Sequence, residues 1–217
     1  MSPARRRAGL AALVLGLAPV TAPALARAGD DDGLYGRFEG DLDLRVGAGF
    51  AAAAKGASLS VGASAIYLGT AGLYAHYTDT LGGDGPFLHR SVAAGVVLAP
   101  IFLYRYANND ETGPAFRDLL LDSLSLQVGS FWGAPPGSDL QAQPGLELAL
   151  GGSVPLFAQA SGLFADLRGG VRFLGADLAA YQRTDSGFGR SAFFSLTLGW
   201  HQLVRSHLVD GGDRVPR

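Results

Sequence analysis

The residues that could do chemistry are charged side chains, most of them spaced two apart along the chain. Paired carboxylates can serve as general acid and base. Opposite charges that share one buried face more often form salt bridges, because a buried charge needs a partner. The sequence therefore predicts a structural charge network and no catalytic residue, with a proton or ion pathway as the alternative. The members of the network are, in chain order, Glu39, Asp41, Asp43, Arg45, Glu147, Asp166, Arg168 and Arg172.

Other kinds of site leave little trace in the sequence. The chain has no cysteine, which excludes thiol and zinc–thiolate chemistry. No metal-ligand spacing, phosphate-binding loop or Ser-His-Asp arrangement stands out, so we expect no metal and no cofactor. His76 and His201 are single histidines on polar faces and are interpreted as hydrogen-bonding fillers.

The first charged group lies on a segment that alternates strictly. In residues 37–51, RFEGDLDLRVGAGFA, even positions are apolar or glycine, and odd positions from 37 to 49 are charged or glycine. Such alternation predicts a strand with two different environments on its faces. Phe38 and Phe50 are twelve steps apart, which corresponds to roughly 30 Å of height for a tilted strand. An apolar face closed by aromatics at this length is typical of a transmembrane β-strand.

The same alternation recurs along the chain and predicts an all-β fold. Eight sequential strands of this kind close into an antiparallel up-and-down barrel. Residues 58–78 can form either one long bent strand or a hairpin about Leu68-Gly69-Thr70. Pro100 marks a bend or an end in the fourth segment, and Pro114 begins a possible short helix within the 112–122 connection. The segments are 37–51, 58–67, 71–78, 87–105, 124–132, 145–154, 163–173 and 191–203.

The alternation does not by itself say which face is inside the barrel. A soluble lipocalin-like barrel has its apolar face inside, whereas a membrane barrel has it outside. Here the polar face is rich in Gly, Ser and Ala with balanced charges, and the chain has one lysine, Lys55. Small residues and opposite charges favour a filled lumen, and therefore a membrane barrel. The outer loops are then 52–57, 79–86, 133–144 and 175–190.

The N-terminus has the features of an export signal. Residues 1–28 combine three arginines, an apolar stretch and the small-x-small triplet Ala26-Arg27-Ala28, which is typical of a cleaved signal peptide. Its removal takes away four of the 17 basic residues and leaves 13 against 19 acidic residues, a net charge of −6. This acidic balance argues against nucleic-acid binding. The remaining chain is divided into a short segment 29–35, the barrel 36–203 and a polar tail 204–217.

The signal and the eight alternating segments resemble the small bacterial outer-membrane barrels of the OmpA/OmpX type, over about Gly36 to Leu203. The resemblance implies a monomer in the outer membrane of a Gram-negative bacterium, in contact with outer-membrane lipid. It implies a non-enzymatic role, either structural or through the extracellular loops, whose ligand the sequence does not identify. A narrow channel is one alternative.

A lipid-modifying enzyme is the other alternative. His89 and Ser91 are similar to the His-x-Ser pair of outer-membrane lipid A deacylases, and they share one face of a strand. That family also needs an acid on a neighbouring strand and a site that faces lipid. Residues 92–105, VAAGVVLAPIFLYR, contain no acid, and the strand parity places the pair in the lumen.

Overall fold

The computed structural model describes residues 40–53, 56–80, 89–108, 110, 114–134, 139–175 and 190–206. Glu39, the signal peptide 1–28, the segment 29–35 and the tail beyond Ser206 lie outside the described residues. So do most of the predicted outer loops 79–86 and 175–190, and part of 133–144.

The predicted eight-stranded antiparallel barrel is confirmed. Each strand pairs with the next one in the chain, and β8 returns to pair with β1, so the sheet is closed. Its strands are β1 Leu42–Ala53, β2 Gly56–Tyr67, β3 Ala71–Thr80, β4 Arg90–Leu98, β5 Ser125–Ala134, β6 Gly145–Pro155, β7 Gly162–Phe173 and β8 Arg190–Val204.

Residues 58–78 form a hairpin rather than one bent strand. Thr70 donates its backbone N–H to the carbonyl of Tyr67 at 3.0 Å, which closes a tight turn. The two central residues, Leu68 and Gly69, both have positive φ, as in the type I′ turns that suit the twist of paired strands. The first connection is shorter than the predicted loop 52–57, because β1 and β2 stay paired up to Ala53 and Gly56.

The fourth segment is only partly a strand. β4 ends at Leu98, and helix α1 runs over Pro100–Asn108, whereas the predicted strand extended to Arg105. Proline suits the first position of a helix, because a backbone N–H at that position would have no acceptor within the helix. The predicted short helix is present as α2, Ala115–Asp122.

The two helices are tied together by one guanidinium group. Arg105 of α1 pairs with Asp118 and, at 2.5 Å, with Asp122 of α2. Ser123 anchors the end of α2 to β6, because its Oγ accepts the backbone N–H of Ser153 at 2.7 Å. Both helices therefore lie at the end of the barrel where β1 begins and β8 ends, which we call the helix-side mouth. The opposite end is the loop-side mouth.

The outer surface of the barrel is apolar. Large apolar side chains on all eight strands point outward and are about 36–67% exposed. Asp79 and Arg90 are the charged side chains described on this outward face, and they pair with each other near the loop-side mouth. The belt consists of Leu44, Val46, Phe50, Leu59, Leu73, Val96, Leu98, Leu126, Leu150, Val154, Leu167, Phe194, Leu196, Leu198, Trp200 and Val204.

Candidate functional site

The loop-side half of the lumen contains a buried charge cluster centred on Glu147. Strand pairing places Arg172 of β7 directly opposite Glu147 of β6. Arg168 lies four residues before Arg172 in the chain and points to the same face. On the other side, Gly129 of β5 pairs with Glu147. A Cβ at Gly129 would lie 2.6 Å from the Tyr74 hydroxyl, so the glycine makes room for that tyrosine to reach the carboxylate.

Both oxygens of the Glu147 carboxylate are occupied. Oε1 accepts hydrogen bonds from Arg168 and, at 3.1 Å, from the Tyr74 hydroxyl, while Oε2 accepts from Arg172 Nε at 2.6 Å. The Glu147 side chain is 0% exposed. The carboxylate is therefore enclosed, and both of its oxygens already accept hydrogen bonds from protein donors.

The two arginines extend the cluster into neighbouring strands. Arg168 Nε donates to Gln127 Oε1 at 2.6 Å, and Arg172 Nη1 donates to Ser91 Oγ at 3.1 Å. Ser91 in turn lies 2.6 Å from the hydroxyl of Thr78. These bonds satisfy much of the donor capacity that two buried guanidinium groups bring into the barrel.

Aromatic rings cover the faces of both guanidinium groups. The centroid of the Phe193 ring lies 4.8 Å from the guanidinium carbon of Arg168 and 4.4 Å from the guanidinium carbon of Arg172. Tyr74 and Phe131 lie against Arg168 and Arg172 respectively. The rings' electron-rich faces favour the positive charges, which suits a cluster with two guanidinium groups and one carboxylate.

The helix-side half contains smaller, separate polar pairs. Asp43 Oδ2 accepts a hydrogen bond from Arg45 Nε at 2.7 Å and lies 2.6 Å from Nη2 of the same ion pair. His201 Nε2 lies 3.0 Å from Asp166 Oδ1, and its ring stacks on Phe164 with centroids 3.9 Å apart. Asp41 accepts from the backbone and hydroxyl of Ser206, at 2.5 and 2.6 Å.

Two cavities lie beside these pairs. A cavity of about 270 Å³ separates the helices from the strand ends, and one of about 70 Å³ lies deeper in the lumen near His76 and Arg168. Arg45 lines both. The deeper cavity is large enough for water and has polar walls, as a hydrated site needs.

The structure thus separates the predicted network into several groups. Glu147, Arg168 and Arg172 come together, Asp43 pairs with Arg45, and Asp166 and Asp41 have other partners. Glu39 lies outside the described residues.

The weaker candidate pair does not form a site on the outward face of the barrel. Ser91 is 1% exposed and faces the lumen, where it contacts Arg172. His89 Nε2 lies 3.6 Å from Asp79 Oδ1, at the loop-side mouth. Sequence reasoning missed Tyr74 and Phe193 as members of the cluster, and the only signal was that both are large aromatics among small residues of the inward face.

Among the described residues, no group of three or more His, Cys, Asp or Glu side chains could hold a metal ion. No described helix is long and apolar enough to cross a membrane. Comparisons of the chain with protein-family models, with curated proteins and with solved structures give no match.

Proposed function

We propose that this chain is a bacterial outer-membrane β-barrel with a closed, non-enzymatic scaffold role. The observation that carries the proposal is the apolar belt, which surrounds the barrel, while the described charges of the strands lie inside except for the Asp79–Arg90 pair near the loop-side mouth. Monomeric soluble proteins rarely expose contiguous apolar patches beyond a few hundred Å². Strands of 9 to 15 residues are long enough to span the hydrocarbon core when tilted.

The orientation follows from the ends of the barrel strands. β1 begins and β8 ends at the helix-side mouth, which we assign to the periplasm as in other even-stranded barrels. The loop-side mouth then faces outward, and its connections are where an extracellular partner would bind. The predicted export signal and a monomeric state belong to the same proposal.

The charge cluster supports a closed lumen rather than a channel. Eight strands leave an interior that side chains can just fill. Glu147, its two arginines and the rings of Phe193 and Phe131 occupy the loop-side half together. We therefore expect no stable single-channel conductance.

Labelling along β8 tests the membrane proposal. This cysteine-free chain allows single cysteines at Leu196 and Leu198, which point outward, and at Ser195 and Thr197, which point inward. In lipid vesicles, a fluorophore at the outward positions should be quenched by brominated lipid, because these positions lie in the apolar belt. A fluorophore at the inward positions should not be quenched.

The control is a test that each variant is folded. A folded barrel should migrate differently on a gel before and after boiling. Equal quenching at both sets of positions would contradict a spanning barrel. Recovery of the protein in the soluble periplasmic fraction would contradict the location.

A further inference from the structure

The cavity of about 270 Å³ at the helix-side mouth is much larger than the gaps that normally remain between packed side chains. Its volume is close to the lower end of small-molecule pockets. The residues that line it come from both helices and from the helix-side ends of β1, β7 and β8. The cavity is therefore formed where the helix pair meets the barrel.

Two pairs of stacked rings line this cavity. On α1, the ring centroids of Phe102 and Tyr106 lie 6.1 Å apart, with an angle of 15° between the ring planes. On the barrel, Phe164 of β7 and His201 of β8 stack with centroids 3.9 Å apart and planes 6° apart. Aromatic rings prefer stacked or edge-to-face contacts with other rings. A planar aromatic molecule in the cavity would find such partners on both the helix and the strands.

The turn between β2 and β3 makes room for one of these rings. Gly69 in this turn has a φ of +63°, and a Cβ at this position would lie 2.9 Å from the Phe102 ring. The glycine thus lets Phe102 pack directly against the barrel. Leu119 of α2 and Leu203 of β8 add aliphatic side chains to the lining, so that its surface is mainly apolar.

The charged groups of the lining are paired within the protein. Arg45 pairs with Asp43, and Asp122 pairs with Arg105 of α1. The Asp41 carboxylate accepts two hydrogen bonds from a serine beyond β8. A charged ligand would lose its hydration and then compete with these pairs for a partner, which is unfavourable. The lining therefore favours an uncharged ligand.

We propose that this cavity binds an uncharged, planar aromatic molecule of about two fused rings. An engineered apolar cavity of about 150 Å³ binds benzene, and this cavity is nearly twice as large. Leu103 and Tyr106 line it and are 53% and 63% exposed, so a ligand can enter past their side chains. The proposal goes beyond the scaffold role, and its test does not require that the barrel lies in a membrane.

Four probes separate charge from aromatic character: 2-naphthol, 2-naphthoate, 2-naphthylmethylammonium and the saturated decahydro-2-naphthol. The folded protein is held in amphipol and titrated by calorimetry, and the heat from protein-free amphipol is subtracted. 2-Naphthol should bind saturably, one per barrel, about tenfold more tightly than either charged probe and about threefold more tightly than the saturated one. Equal affinity for any of the other three probes, or no saturable binding of 2-naphthol, would overturn the proposal.

One pair of variants locates the binding site. Ala160 lines the cavity, so the ring of Ala160→Phe should occupy the ligand's space and abolish 2-naphthol binding. Ala158→Phe, at an exposed position in the same turn, should leave binding unchanged. Unchanged 2-naphthol binding to folded Ala160→Phe would refute this location.

A second pair tests the aromatic wall. Phe164→Leu keeps an apolar side chain but removes a ring, and should lower 2-naphthol affinity about threefold, to that of the saturated probe. Phe131→Leu, in the loop-side half, should leave the affinity unchanged. Gel migration before and after boiling shows that each variant is folded. An equal loss of affinity in both variants would contradict recognition by the Phe164 ring.

Discussion

The two halves of the lumen use the same residue types in different ways. In the loop-side half, Glu147, Arg168 and Arg172 side chains are 0%, 7% and 9% exposed and form one connected cluster. In the helix-side half, Arg45 and Asp166 are 20% and 25% exposed and belong to separate pairs beside cavities. Burial makes each charge in the first half depend on its partner, whereas water can replace a partner in the second half.

The difference arises from which side chains fill the space. Phe193, Phe131 and Tyr74 occupy the interior around the arginines. The deeper helix-side cavity is lined by small residues, among them Gly47, Gly62 and Ser64, so it remains open. The narrow barrel thus holds a plug of side chains at one end and a vestibule with two cavities at the other.

Solvent access should show the largest contrast between the halves. Thr197→Cys lines the deeper cavity, and Ala93→Cys is buried beside Phe131 in the loop-side half. A small methanethiosulfonate reagent should modify the cysteine at 197 in the folded protein. It should modify the cysteine at 93 only after denaturation. Mass spectrometry of the folded and denatured proteins measures both, and modification of both positions at similar rates would abolish the distinction between plug and vestibule.

Removing one negative charge from each half should have unequal effects on stability. Glu147→Gln leaves two buried guanidinium groups without a carboxylate, and we expect a loss of about 3–5 kcal/mol in the free energy of unfolding. Asp166→Asn keeps a hydrogen-bonding group beside His201, and its side chain is 25% exposed, so the loss should be about 0.5–1.5 kcal/mol.

Urea unfolding in vesicles, followed by the fluorescence of the outward-facing Trp132 and Trp200, measures both variants. Both changes replace a carboxylate by an amide of the same shape, so each is the control for the other. Equal losses would mean that the two halves do not differ in how strongly they depend on charge pairing.

The sequence could predict the strands and their faces but not these partners. Alternation has a period of two, which fixes the face of each side chain once a strand forms. The pairing of Glu147 with two arginines depends on the strand register, and its contact with Tyr74 depends on the space above Gly129. Neither can be predicted from the sequence of one strand alone. Helix α1 was missed because its residues, PIFLYRYAN, include several that are also common in strands. Its contact through Arg105 with α2 is a tertiary effect.

Removing one hydroxyl from each half should give the smallest contrast. Ser91 bridges Thr78 and Arg172, so Ser91→Ala removes a buried partner from both, and we expect a loss of about 0.5–1.5 kcal/mol. Ser125 lines the deeper cavity, and its hydroxyl has no protein partner among the described residues, so Ser125→Ala should have little effect on stability.

The same urea unfolding measures both variants. A Ser125→Ala loss as large as that of Ser91→Ala would show that the vestibule is packed as tightly as the plug. Loss of a lipid-hydrolysing activity in Ser91→Ala, with unchanged stability, would instead favour an enzyme and contradict a structural role for this serine.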